Sequence, residues 1–131
     1  MFLDASAIIA IITGEPDAAS LQTRLGKADT VHVSPIVIYE AVLGLARIGR
    51  LSISEASGLL DQFLAQLRAN VLAIDSATGR GALDACERFG KGRHPARLNM
   101  GDCFAYACAR AVDAPLLCKG DDFTRTDIAR A

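Results

Sequence analysis

The first twelve residues, MFLDASAIIAII (residues 1–12), decide the fold. Met1 to Leu3 is a short apolar run and reads as a strand. Ala5 to Ile12 is apolar on every side and reads as a buried helix. Asp4, the one charge in the stretch, falls where the strand gives way to the helix. The run lacks a positively charged n-region and is too short to cross a bilayer, so it is expected to be core rather than a targeting or anchoring segment.

The same alternation continues outward. Thr13 to Asp17 is a turn punctuated by Gly14 and Pro16, and Ala18 to Ala28 reads as a surface helix with Leu21 and Leu25 one turn apart. Val31-His32-Val33 is a second strand. Ser34 and Pro35 then form an N-cap and an N1 proline for a helix reaching about Ile48. Ser52 to Glu55 is a capping-box-like start for an amphipathic helix to about Ala69, with Leu59, Leu60, Phe63, Leu64 and Leu67 as its apolar stripe. Val71 to Ile74 is a strand, and Asp75-Ser76 opens a helix to about Phe89. The basic stretch Gly90 to Arg97 reads as a flexible loop. The polar turn Asn99-Met100-Gly101-Asp102 leads into a last helix to about Val112, and Leu116 to Cys118 is a final strand. Short apolar strands alternating with helices imply an α/β fold over residues 1–131: one domain built of βαβ units around a parallel sheet covered on both faces. In such sheets, sites form beyond the carboxyl ends of the strands. Asp4 and the pair Asp121-Asp122 both follow a strand, so both are expected at that edge.

Composition narrows the class. With 51% hydrophobic and 22% charged residues the chain has ample material for a core, and it is not a disordered sequence. A net charge of -1 gives no global basic field, so a nucleic-acid role requires a local basic patch or a metal. The four cysteines, Cys86, Cys103, Cys108 and Cys118, form no CxxC pair, and the chain has two histidines. A zinc site is therefore not expected, and the thiols read as buried in a reducing cytoplasm.

Four acidic positions stand out. Glu40 has Ile36, Val37, Leu43 and Gly44 as its helical neighbours and no charged partner among them. A lone carboxylate on an apolar face is costly; Arg47 or a more distant base is the bland alternative, as an ion pair. Asp4 reads either as an N-cap or as a wall of a metal site, and Asp102 either as the third residue of a helix capped by Asn99 or as a ligand. Asp121-Asp122 reads as a solvated turn or as ligands. A metal site would account for all four positions together, because clustered carboxylates repel one another without a cation between them. An all-oxygen donor set suits Mg²⁺ or Mn²⁺, which activate water and offset charge in phosphodiester hydrolysis. Lys91, Arg93 and Arg97, with Lys119, read either as a phosphate-binding rim or as solvated charges. Ser6 is placed either to bond a metal-bound water or to cap its own helix.

On these residues the chain resembles the PIN domain family and, within it, the VapC-type toxins of bacterial toxin–antitoxin pairs. The carriers are LDASAII around Asp4, SPIVIYEAV around Glu40, KGRHPARLNMGDCFAYA around Asp102 and LLCKGDDFTRTDI near the end. The resemblance spans nearly the whole chain. It implies a three-layer α/β/α sandwich with a central parallel sheet of about five short strands. It also implies a Mg²⁺- or Mn²⁺-dependent endoribonuclease of the cytoplasm, a homodimer blocked by a cognate antitoxin. Asp4, Glu40 and Asp102 match the family's first three acids. Asp122, directly before Phe123, matches the fourth, with Asp121 as a possible helper, and Ser6 and Asn99 match supporting polar positions. The family's Thr-x-Asp pattern is replaced here by Cys118-Lys119-Gly120.

Other readings have their own requirements. A housekeeping RNA-processing nuclease of the same fold would carry the same acids. A haloacid-dehalogenase-like phosphatase would need a second Asp two residues after Asp4, where Ser6 stands. A receiver-like phosphoacceptor module would need an Asp at the end of the second strand, where Ser34 stands.

Overall fold

The computed structural model describes residues 1–131. Its elements, in chain order, are β1 (Phe2–Leu3), α1 (Ala5–Thr13), α2 (Ala18–Leu25), β2 (His32–Val33), α3 (Pro35–Gly49), α4 (Ile53–Gln66), β3 (Asn70–Val71), α5 (Ser76–Phe89), α6 (Met100–Ala111) and β4 (Leu116–Leu117), followed by a 3₁₀ turn, Asp122–Arg125.

Helix starts follow the capping residues of the sequence. Asp4 and Ser34 hold extended backbone and accept the first free N–H groups of α1 and α3. Asp75 does the same for α5 through Thr78. Ser52 with Glu55 and Asn99 with Asp102 form reciprocal capping boxes at α4 and α6. Gly14, in the left-handed region at φ 68°, ends α1.

Every strand pair is parallel, and the sheet order is β3-β2-β1-β4. From β1 the chain builds outward through β2 to β3, then crosses back to place β4 on the other side of β1. The order therefore reverses between β1 and β4, and the carboxyl ends of those two strands flank the switch point where open α/β sheets bind ligands. Asp4 follows β1 directly, and the Asp121-Asp122 turn follows β4. Phe2, Leu3, Leu116 and Leu117 are fully buried at this centre. One contiguous apolar cluster joins the sheet to all six helices. α5 packs on α6, α1 on α2 and α3, and α3 on α4, while α6 also rests on β1.

The sheet has four strands rather than about five. Beyond β4 the tail adds only a lone parallel bridge, Leu116 with Arg130. The third strand is Asn70–Val71 rather than Val71 to Ile74. It is an edge strand paired on one side, and the ladder to β2 closes with the Leu72 N–H on Val33 O at 2.9 Å. α2 stops at Leu25, short of Ala28, and α4 stops at Gln66, short of Ala69, because Arg68 turns into the left-handed region at φ 49°. In the α4 stripe Leu60 and Leu64 are buried but Leu59 is exposed. The basic stretch Gly90 to Arg97, read from the sequence as a flexible loop, is closed at its base. Its neck closes through Lys91 N–H to Leu98 O and Leu98 N–H to Phe89 O, both 2.9 Å. Ala96 and Leu98 are buried beneath it. His94 accepts the Ala96 N–H at 3.1 Å and stands edge-on to Phe89.

Candidate active site

Asp4 is buried at 6% exposure. It accepts the Ser6 N–H at 2.9 Å and the Ser6 hydroxyl on the same oxygen. Ser6 Oγ in turn accepts the Lys119 N–H at 3.0 Å. One hydroxyl thus ties the carboxyl end of β1 to the loop after β4. Burial pushes the Asp4 carboxyl above its usual range despite the two bonds from Ser6, and the charge of Asp122 pushes it the same way.

Asp102 sits in the first turn of α6. Its carboxylate accepts the Asn99 N–H at 2.8 Å, and its own N–H donates to Asn99 Oδ1 at 3.0 Å. Both bland readings of the sequence therefore hold in part: Asp4 and Asp102 are capping residues. Their surroundings differ from those of an ordinary exposed cap: burial raises the Asp102 carboxyl to about 6, with the charges of Asp4, Asp122 and Glu40 adding to it. Glu40, on α3, has no hydrogen-bond or ion-pair partner, so the alternative of a pair with Arg47 is not realised. Its carboxyl is raised by burial first and by Asp4 second. It lies against Gly101 of α6, so close that a methyl group built there would overlap its oxygens.

The four acids thus form one electrostatic group at the switch point. Of the two tail aspartates, Asp122 is the one whose charge acts on Asp4 and Asp102. No three His, Cys, Asp or Glu side chains converge tightly enough to enclose an ion by themselves. The four acids are grouped loosely, and of them Asp122 alone lines a cleft. A loose grouping suits a hard cation such as Mg²⁺, which retains waters and takes only one or two direct carboxylates. Their mutual repulsion and the unpartnered Glu40 fit a divalent cation on oxygen donors.

Beside the acids lies an open polar cleft of about 560 Å³, lined by Lys91, Arg97, Asn99, Asp121, Asp122 and Arg125 among others. Lys91 and Arg97, two of the four basic residues read from the sequence as a candidate rim, line this cleft. Arg93 and Lys119 are not among the residues lining it: Arg93 pairs with Glu87 at 2.9 Å, and Lys119 pairs with Glu15. Arg125 and Thr124 were not singled out in the sequence, although Arg125 lies three residues from Asp122, within reach across one turn. Gly101 carried a signal too, as a glycine in a helical first turn directly before an acid. Ser34, fully buried as the cap of α3, leaves no acid at the end of β2 for a receiver-like site.

Comparison with known proteins identifies the family and agrees with the fold. The PIN domain family model matches residues 1–129. A VapC ribonuclease of Rhizobium meliloti is 45% identical, covering 97% of this chain and 98% of the relative. Ribonuclease VapC42 of Mycobacterium tuberculosis is 39% identical, covering 100% and 98%. Among solved structures, Mycobacterium tuberculosis VapC20, described as a sarcin-ricin loop cleaving toxin, superposes with a TM-score of 0.78 at 16% identity, covering 99% of this chain and 97% of that one. A toxin-antitoxin complex from Klebsiella pneumoniae gives 0.71 at 15% identity, with 96% and 92% covered. With the family model matched along nearly its whole length and full-length relatives at this identity, the chain belongs to the PIN domain family.

Proposed function

We propose that this protein is a VapC-type endoribonuclease that hydrolyses RNA with a divalent cation, Mg²⁺ or Mn²⁺, held by Asp4, Glu40, Asp102 and Asp122. What supports the reading most is that Glu40 has no basic partner and lays its carboxylate against Gly101, next to Asp102, while Asp4 and Asp122 add like charge from two further chain segments near the sheet's switch point. When bound, the cation supplies Lewis acidity, acidifying water and offsetting charge on the phosphodiester. The chain's own residues do the rest. Ser6 and Asn99 fix the oxygens of Asp4 and Asp102 through the bonds described above, so those carboxylates need little reorganisation. Glu40 and Asp122, whose carboxylates have no hydrogen-bond or ion-pair partner, are the acids able to turn toward a ligand. Lys91, Arg97 and Arg125 offer cationic contacts to RNA phosphates along the cleft, and Asp121 stands beside Asp122 as an auxiliary acceptor.

By similarity to VapC ribonucleases and to toxin–antitoxin complexes, the partners proposed are a cognate antitoxin and a second copy of the chain, and the setting is the cytoplasm. No helix is long and apolar enough to cross a membrane. The deciding experiment is RNA cleavage by the purified protein with EDTA, Mg²⁺ or Mn²⁺. Cleavage in Mg²⁺ or Mn²⁺ that EDTA abolishes supports the reading, and equal cleavage in EDTA overturns it.

A further inference from the structure

The tail after β4 contains only a four-residue 3₁₀ turn as regular structure, yet it carries Asp122. Something must hold that carboxylate at a fixed separation from Asp102. On one side the tail is held by Ser6 on the Lys119 N–H and by Arg130, which donates to Gly120 O at 3.3 Å. On the other side Asp127 is gripped twice. The Tyr106 hydroxyl donates to one of its oxygens at 2.6 Å, and Arg88 Nη2 donates to the other at 2.6 Å. Arg88 Nη1 also donates to the Tyr106 oxygen at 3.2 Å, closing a three-membered network. Arg88 is itself seated over the Phe89 ring. Tyr106 is a buried residue of α6, four positions after Asp102, so the two lie one turn apart on one face of the same helix. α6 therefore carries Asp102 directly and reaches the segment bearing Asp122 through Tyr106 and Asp127.

We propose that the Tyr106–Asp127–Arg88 network is a positioning device for the cation site: it sets where Asp122 stands relative to Asp102, and so sets the affinity for a divalent cation. The inference rests on the reading of the acids as cation ligands given above. None of the three residues lines the polar cleft; they act through Asp122.

The test is Mn²⁺ binding to the intact protein without RNA, followed by the electron paramagnetic resonance of free Mn²⁺, with RNA cleavage titrated against Mn²⁺ in parallel. Tyr106→Phe keeps the buried ring and removes the hydroxyl. It is expected to raise the half-saturating Mn²⁺ concentration about fivefold in both assays, less than the ~10–100-fold cost of removing a group bonded directly to a metal ligand. Cleavage at saturating Mn²⁺ should stay within about twofold, a separation that general loss of stability would not produce. Asp127→Asn, which loses the charge pairing with Arg88, should shift both curves the same way and serves in its place if Tyr106→Phe does not fold. Added to Asp122→Asn, Tyr106→Phe should weaken binding no further, because the path it acts through is gone. Unchanged Mn²⁺ curves in both variants, or full additivity with Asp122→Asn, overturns the proposal. If Asp122→Asn weakens Mn²⁺ binding while Tyr106→Phe and Asp127→Asn do not, the network alone is rejected and the cation site stands. If Asp122→Asn leaves binding untouched, Asp122 is no ligand and both ideas fall.

Discussion

Two pairs of helix starts use the same local chemistry and end in opposite electrostatic states. At α5, Asp75 accepts the Thr78 N–H at 2.8 Å and the Thr78 hydroxyl at 2.9 Å; at α1, Asp4 accepts the N–H and hydroxyl of Ser6. At α4, Ser52 and Glu55 form a capping box; at α6, Asn99 and Asp102 form another. Yet the hydrogen bonds hold Asp75 and Glu55 below their usual carboxylate range, while burial and like charge lift Asp4 and Asp102 above theirs. Cap geometry therefore does not distinguish an ordinary capping acid from a proposed cation ligand. Desolvation and the company of other acids do, and both come from the tertiary fold.

The comparison breaks or holds on activity first. Asp102→Asn is expected to lower single-turnover RNA cleavage about 10³-fold, about 4 kcal/mol of barrier, while Asp75→Asn stays within about twofold. Comparable losses in both would erase the distinction between the two kinds of cap. The basic residues give the next largest effect. Lys91→Ala and Arg97→Ala should each raise the RNA concentration for half-maximal rate about tenfold. Each should also flatten the logarithmic salt dependence of binding by about 0.7, the slope that one neutralised phosphate contributes on a single strand. Arg80→Ala, an exposed arginine of α5, should change neither. A uniform response to all three would mean that net charge rather than the cleft binds RNA.

Thermal melting against pH sharpens the contrast at the scale of a few degrees. Asp102 has an ordinary value of 3.8 and a folded value of about 6. At lower pH both states hold its proton; between those values only the folded chain does. Raising the pH through that window therefore destabilises the metal-free protein. Asp75 and Glu55 act in the opposite sense, losing their contribution as pH falls through the carboxylate range. The melting temperature in EDTA should thus fall from pH 5 to pH 7.5, and Mn²⁺ should restore more of it at pH 7.5 than at pH 5. A Mn²⁺ effect equal at both pH values would show that the acids are not coupled to the cation.

The smallest expected effect concerns Glu40. In EDTA, Glu40→Gln should leave the melting temperature unchanged or raise it by about 2 °C, because a partly desolvated charge without a partner is removed. Asp75→Ala, which deletes a working cap, should lower it by about 3 °C. A clear loss of stability in Glu40→Gln would reveal a structural partner in solution.

What the sequence could and could not disclose follows the same division. Asp4, Ser34, Ser52, Asp75 and Asn99 act over two or three residues, so the helix starts were legible to within a residue. The parallel sheet was legible because its strands are short apolar runs separated by helices. The strand count was not, because whether Arg130 returns to Leu116 depends on where the tail packs. Three of the four acids carried signals of their own: Asp4 by its junction, Glu40 by its apolar face and Asp102 by its capping turn. The choice between Asp121 and Asp122 rested on one local feature, the place of Asp122 directly before Phe123. What orients that turn is Phe123 buried in the core and Asp127 held by residues 21 and 39 positions earlier. The closed neck of the basic loop was hidden for the same reason, since it depends on Leu98 pairing back to Phe89.

Gly101 leaves a trace in what the fold could otherwise become. A glycine in a helix costs about 0.5–1 kcal/mol relative to alanine, and α6 would take alanine at this position were it not for the Glu40 carboxylate lying against it. With Glu40 as the proposed ligand, the residue is a point where heat resistance and catalysis select in opposite directions. A library of variants sorted for survival at high temperature alone is expected to accumulate Gly101→Ala together with loss of the Glu40 carboxylate. The same library sorted for RNA cleavage is expected to keep the glycine.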